Sequence, residues 1–125
     1  MKTDQMTPRQ LANMQRLFAM PFSELYPLYV TKVQNKGRSE TELRTVLSWQ
    51  TNLTGTQLDA AISSGESLQE FFEHVHVHPN VVLITGTVCG VKVQEVEDPL
   101  MRNIRYMDKL VDELAHGKAI ERILR

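Results

Sequence analysis

Residues 99–117 read PLMRNIRYMDKLVDELAHG and give the clearest structural signal in the chain. Apolar side chains recur there in steps of four and three residues, which places them on one face of an α-helix. They are Leu100, Met101, Ile104, Met107, Val111 and Leu114. Pro99 suits the first turn of a helix, and Gly117 suits its end. The stretch therefore predicts a long helix with one side in the core.

The outer face of this predicted helix carries ionisable groups of both signs. Arg105 and Asp108 stand three residues apart, and Lys109 and Glu113 four apart, spacings at which helical side chains meet. Such a face is typical of a solvated surface with ion pairs, or of a surface that binds a protein. The residues of this candidate partner-binding face are Arg105, Tyr106, Asp108, Lys109, Asp112 and Glu113.

The chain before residue 76 predicts five shorter helices. Three of them begin at capping boxes, in which a Ser or Thr is followed three residues later by Glu or Gln: residues 39–42, 54–57 and 67–70. Two earlier helices are predicted from Pro8 to Pro21 and from Ser23 or Pro27 to Lys36. Residues 1–7 lack an apolar period, so we expect a flexible tail followed by one helical domain over residues 8–125.

Residues 76–96 are ambiguous. Their many β-branched side chains favour strands, with a hairpin around Gly86 to Gly90. The same two glycines stand four residues apart, as they would on one face of a helix that another helix approaches closely. Composition and spacing leave both interpretations open.

Composition excludes several classes of protein. The chain has 125 residues, 42% of them hydrophobic and 23% charged, which is typical of one ordinary globular domain. The formal net charge of −1 makes nucleic acid an unlikely partner, and no apolar run is long enough to predict a membrane span. The single cysteine, Cys89, cannot form an internal disulfide, so we expect a cytoplasmic location.

The charges are unevenly distributed along the chain. Residues 1–44 carry seven basic and four acidic groups, residues 45–98 carry one and seven, and residues 99–125 carry six and four. This acidic middle either faces a basic partner or packs against the basic ends of the same chain.

Several long motifs resemble a known family. They include LITGTVCGVKV at residues 83–93, EDPLM at 97–101, RYMDKLVDEL at 105–114, YPLYV at 26–30 and KGR at 36–38. Together with residues 117–125 they are similar to a small bacterial family catalogued as domain of unknown function 2200. The resemblance implies a bacterial, mostly α protein, a small orthogonal bundle of five to seven short helices. It favours helix for the ambiguous stretch, with an α+β fold carrying a hairpin at about 81–96 as the alternative.

Three alternating histidines, His74, His76 and His78, form the most conspicuous local motif. On an extended segment they would point to one side, where zinc or nickel suits imidazole. The other interpretation is that they end a helix and lead into a loop. We therefore predict no required cofactor. Binding of zinc or nickel by the three histidines is the alternative hypothesis.

A second candidate site combines Tyr26, Tyr29 and Cys89 as a small-molecule pocket. Cys89 could act as a nucleophile if its pKa were lowered, although an apolar run favours a buried, inert thiol. The sequence thus supports two functions. One is a non-catalytic module that binds a protein partner or a second copy of itself. The alternative is a small-ligand or metal-binding protein, or an enzyme, with its site near Cys89 and the three histidines.

Overall fold

The computed structural model describes residues 6–125, which form seven α-helices and one small β-hairpin. The elements are α1 (Pro8–Ala19), α2 (Phe22–Gln34), α3 (Glu40–Thr51), α4 (Gly55–Ser64), α5 (Leu68–His74), β1 (Thr87–Val88), β2 (Val91–Lys92), α6 (Pro99–Ala115) and α7 (Ile120–Ile123). The mostly α class is confirmed. Residues 1–5 of the expected N-terminal tail lie outside the described residues, and Thr7 is the N-cap of α1.

Capping boxes begin four of the helices. Those of α3, α4 and α5 are the three predicted ones, and each has both of its reciprocal hydrogen bonds. The fourth pairs Thr7 with Gln10 at the start of α1. Because each box satisfies backbone N–H groups that a helix leaves unpaired, these starting points are encoded locally.

The core is centred on α6, which buries eight of its residues. Its partners are α2, α3 and the hairpin, and α2 also packs against α4. The largest fully buried side chains are Phe22, Phe71, Leu43, Leu47, Leu58, Leu68, Ile84, Ile104, Met107, Leu110, Leu114 and Ile123. Within the described part of the chain, no helix has the length and apolar character needed to cross a membrane.

The ambiguous stretch forms no α-helix, so the preference for helix there is wrong. A 3-10 turn at Pro79–Leu83 is followed by the antiparallel pair β1 and β2 and a second 3-10 turn at Val93–Glu95. Cys89 and Gly90 form the connection with φ of 51° and 76°, and such positive angles favour a two-residue hairpin turn and exclude a helix. The hairpin alternative is confirmed for the centre of the stretch.

The first helix, α1, lies at the edge of the bundle against α5 and α6. Met14 is its one buried residue, although Leu17 and Phe18 pack partly against the core. A cavity of about 340 Å³ remains between α1, the hairpin and α6, lined by apolar side chains that include Leu17, Val91 and Met101. The packing of α1 on the domain is therefore incomplete.

Candidate functional site

A row of ionisable side chains joins α2 to α6. The Tyr29 hydroxyl donates to Oδ1 of Asp108, and Arg105 donates to Oδ2 of the same carboxylate at 3.1 Å. One turn along, the Lys32 ammonium lies 3.3 Å from Asp112. We call this set the charged strip; it consists of Tyr29, Lys32, Arg105, Asp108, Lys109 and Asp112.

Tyr29 is the buried end of the charged strip. Burial raises the pKa of its hydroxyl well above the ordinary value, and the neighbouring Asp108 carboxylate adds to the shift. Cys89 is close enough to contribute in the same direction. The Tyr29 hydroxyl therefore stays protonated and acts as a hydrogen-bond donor that holds the Asp108 carboxylate.

Lys109 connects the charged strip to the hairpin. Its ammonium donates to the backbone carbonyl of Thr87 at 3.2 Å and lies 3.9 Å from Asp112. A Cβ on Gly86 would come within 3.0 Å of the Lys109 chain, so the loop backbone lies directly on this side chain. The Lys109 side chain is 16% exposed, which makes it a packed part of the fold.

Two residues of the predicted partner-binding face point inward. Tyr106 is buried, and Glu113 is 8% exposed. The two Glu113 oxygens accept from the Arg125 guanidinium at 2.8 and 2.7 Å. Burial acts to raise the pKa of Glu113, but Arg125 and Lys118 together hold it below the ordinary value. Both residues stand at helical spacing from buried Leu110, a signal that could have placed them in the core.

Exposed aliphatic side chains occur on α2 and on the 3-10 turn before the hairpin, two segments that lie near the charged strip in sequence. The exposed large hydrophobic residues of the described chain are Leu28 at 59%, Val82 at 68% and Leu83 at 56%. Leu28 is one helical turn before Lys32 on α2. Leu83 is three residues before Gly86, so it lies within about 11 Å of the loop that rests on Lys109. Sequence reasoning assigned these residues to apolar runs, and nothing local marks them as exposed.

The predicted pocket of Tyr26, Tyr29 and Cys89 is brought together only in part. Cys89 lies close enough to Tyr29 for its charge to raise the pKa of the Tyr29 hydroxyl. The Tyr26 hydroxyl instead donates to Glu40 at 2.7 Å on α3. Cys89 is exposed at the tip of the hairpin, which differs from the expected buried thiol.

A separate cleft of about 500 Å³ lies between the end of α3, α4 and the segment that follows α5. We call it the histidine cleft; its lining residues are Thr51, Asn52, Leu53, Gln57, Ala60, Ala61, Ser64, Glu66, His74 and His76. Cys89 is not among them. The single site expected near Cys89 and the histidines is therefore two regions of the surface.

Backbone hydrogen bonds hold the walls of the histidine cleft in place. The Glu66 carbonyl accepts from the N–H of Phe22 at 2.9 Å, which ties this wall to the start of α2. Asn52 ends α3 in the left-handed conformation with φ of 57°, and its amide nitrogen donates to the His76 carbonyl. The cleft is thus formed before any ligand arrives.

The three histidines have different neighbours. His74 Nε2 lies 2.9 and 2.8 Å from the two oxygens of Glu66. His78 stacks on Trp49 with ring centroids 4.5 Å apart and accepts from the N–H of Asn80. Among residues 6–125 no three His, Cys, Asp or Glu side chains form a group that could hold a metal ion. The structure therefore brings His74 and His76 to one cleft and turns His78 away.

Comparison with known proteins identifies the family. A family model for an uncharacterized protein conserved in bacteria (DUF2200) matches residues 16–125. The chain belongs to the DUF2200 family. A crystal structure of the uncharacterized protein SP1917 is similar to this DUF2200 chain, with a TM-score of 0.83 and 36% sequence identity, and the match covers 88% of this chain and 91% of that one. No curated protein matches the chain. Neither matching description names an activity, a ligand or a partner.

Proposed function

We propose that the protein is a non-catalytic interaction module that binds a protein partner through the charged strip and the aliphatic residues beside it. One observation carries the proposal: exposed Leu28 is one helical turn before Lys32 on α2, and exposed Leu83 is three residues before the loop that contacts Lys109. Exposed aliphatics grouped beside a polar rim are typical of protein interfaces, whereas isolated ones need no explanation. A cytoplasmic location belongs to the same proposal.

The electrostatics of the face suggest the chemistry of the partner. Lys32, Arg105 and Lys109 outnumber Asp108 and Asp112, so the charged strip is mildly basic. A partner that presents apolar and acidic side chains would complement it. A second copy of the chain meets that requirement, because residues 45–98 carry seven acidic groups and one basic group. Self-association is therefore the first case to test.

The test is native mass spectrometry of the untagged protein, compared with a Leu83→Asp variant. We expect the wild type to form an oligomer of bare chains and the variant to be monomeric, because a carboxylate in an apolar interface is costly to desolvate. Ala12→Asp is the matched control, since Ala12 is exposed on α1. A wild type that is monomeric at every concentration, and that also fails to bind any protein in its own cells, would contradict the proposal.

The histidine cleft supports a second candidate function, the binding of a small ligand. Two histidines and a carboxylate line one preformed cleft, as a ligand site requires. The hydroxyls of Thr51 and Ser64 both donate to backbone carbonyls, so they are engaged in the fold. This favours a binding site over an enzyme with a serine or threonine nucleophile.

A further inference from the structure

The floor of the histidine cleft is made of small side chains on α4. Ala60, Ala61 and Ser64 follow one another at helical spacing along the side of α4 that faces the cleft. Longer side chains, among them Leu53 and His74, complete the lining. A short, narrow molecule could lie along this floor without displacing the protein.

The chemistry of the cleft is acidic and lacks positive side chains. Residues 45–91, which include every lining residue, contain no Lys or Arg. Glu66 is the carboxylate of the lining, whereas Asp59 on α4 is outside the lining and paired with Arg44 at 2.7 Å. A surface of one sign attracts the opposite charge and repels like charge. The cleft is therefore suited to a cation and unsuited to a phosphate or carboxylate.

Glu66 supplies the charge inside the cleft. Its side chain is 17% exposed, and among residues 6–125 only His74 bonds its carboxylate. A carboxylate has about four lone-pair sites, so it can accept further hydrogen bonds beside the imidazole. Asn52 uses its amide nitrogen to bond the His76 carbonyl, which leaves its amide oxygen as another acceptor.

We propose that the histidine cleft binds a small organic cation that carries a primary ammonium or guanidinium group. The charged N–H donors bond the Glu66 carboxylate, with the Asn52 amide oxygen nearby, and the aliphatic part lies on Leu53 and Ala60. The cleft's volume of about 500 Å³ is in the range of small-molecule sites. This site is separate from the charged strip, so it adds a ligand to the interaction module.

The test is a titration of the folded chain followed by amide NMR shifts, with four ligands that share a chain of four carbon atoms. The ligands are butylammonium, butylguanidinium, 1-butanol and butyrate. We expect saturable shifts around Ala60, Ser64 and His74 with the two cations, and affinities at least about tenfold weaker with the neutral and anionic ligands. Equal binding of 1-butanol, stronger binding of butyrate, or no saturable shift with either cation would overturn the proposal.

Two variants and a matched control assign the site. Glu66→Gln should weaken butylammonium binding at least about tenfold, since it removes the negative charge that the cation bonds. Glu73→Gln removes an equal charge from an exposed position on α5 outside the lining, and should leave binding unchanged. In Ala60→Leu the larger side chain fills the floor of the cleft from an exposed helical position. This variant should abolish binding, while its amide spectrum remains that of a folded protein.

Three results would contradict this assignment. If Glu73→Gln weakens binding as much as Glu66→Gln does, the effect is a general one of surface charge. A folded Ala60→Leu protein that binds normally would place the ligand elsewhere. If nickel or zinc chloride shifts the amide signals of His74 and His76 while butylammonium and butylguanidinium do not, the cleft binds a metal ion instead.

Discussion

The helices α1 and α6 have similar sequence signals but differ in how much of each is buried. Each has a proline in its first turn, a side-chain N-cap and an apolar stripe at helical spacing. Yet α6 buries eight residues and α1 buries only Met14. The difference lies in what covers each stripe: α6 has neighbours on several sides, whereas α1 lies on the edge beside a cavity.

This contrast shows that an amphipathic pattern indicates which face of a helix turns inward. The pattern does not indicate how completely that face is buried. Coverage depends on contacts between residues far apart in sequence, which carry most helical stability. The family match begins at residue 16, inside α1. We therefore expect α6 to determine global stability and α1 to contribute little.

The largest effect that can test this contrast is a core truncation in α6. Leu110→Ala removes a fully buried side chain, and we expect the free energy of unfolding to fall by about 2–5 kcal/mol. Met14→Ala in α1 should cost only about 1 kcal/mol, because solvent and the adjacent cavity already border the site. Urea denaturation measures both. Similar losses for the two variants would mean that α1 is as well packed as α6.

A smaller effect tests the buried acid of α6. Arg125→Ala leaves Glu113 with Lys118 alone, and we expect a loss of about 2 kcal/mol at neutral pH. The pKa of Glu113 is lowered by folding, so its contribution is present above the ordinary value of 4.5 and disappears as pH falls through the lowered value.

The difference in stability between wild type and Arg125→Ala should therefore shrink in acid. Thermal melts at neutral and acidic pH measure this. Arg122→Ala is the control, because Arg122 is exposed on α7, three residues before Arg125. A gap that stays constant down to low pH would show that the Arg125 contribution is packing and not charge.

The smallest effect compares the two N-caps directly. Asp98 accepts from the N–H of Met101 at 2.9 Å, and Thr7 accepts from the N–H of Gln10 at 3.1 Å. We expect Asp98→Ala to cost about 1 kcal/mol of global stability, and Thr7→Ala only a few tenths, because α1 can fray without uncovering the core. Equal losses would show that α1 unfolds together with the rest.

Local signals predicted most of the helices. The capping boxes and the stripe of α6 act over three or four residues, so they are readable from sequence. The hairpin turn was harder to predict from the sequence, because Cys89 occupies the position before Gly where such a turn usually has Asn or Asp. The positive φ of Cys89 depends on the surrounding fold and cannot be predicted from the residue type.

The candidate site was predicted only where its contacts are local. Spacing alone identified Arg105 and Asp108 as a pair. The partners of α6 on other elements, such as Lys32 and Arg125, have no sequence signal, because tertiary packing brings them close. The Glu66 and His74 pair is similar, since Glu66 precedes α5 and His74 ends it, so the two residues meet only after α5 folds.

The hairpin tip also offers a site for chemical labelling. Cys89 is the only cysteine in the sequence, and its side chain is exposed at the tip of the hairpin, whose Thr87 carbonyl accepts from Lys109 of the charged strip. A thiol-reactive fluorophore or spin label would therefore attach at one defined point without any prior mutation. Its emission or mobility would change when a partner covers the charged strip, and would stay constant when a ligand enters the histidine cleft.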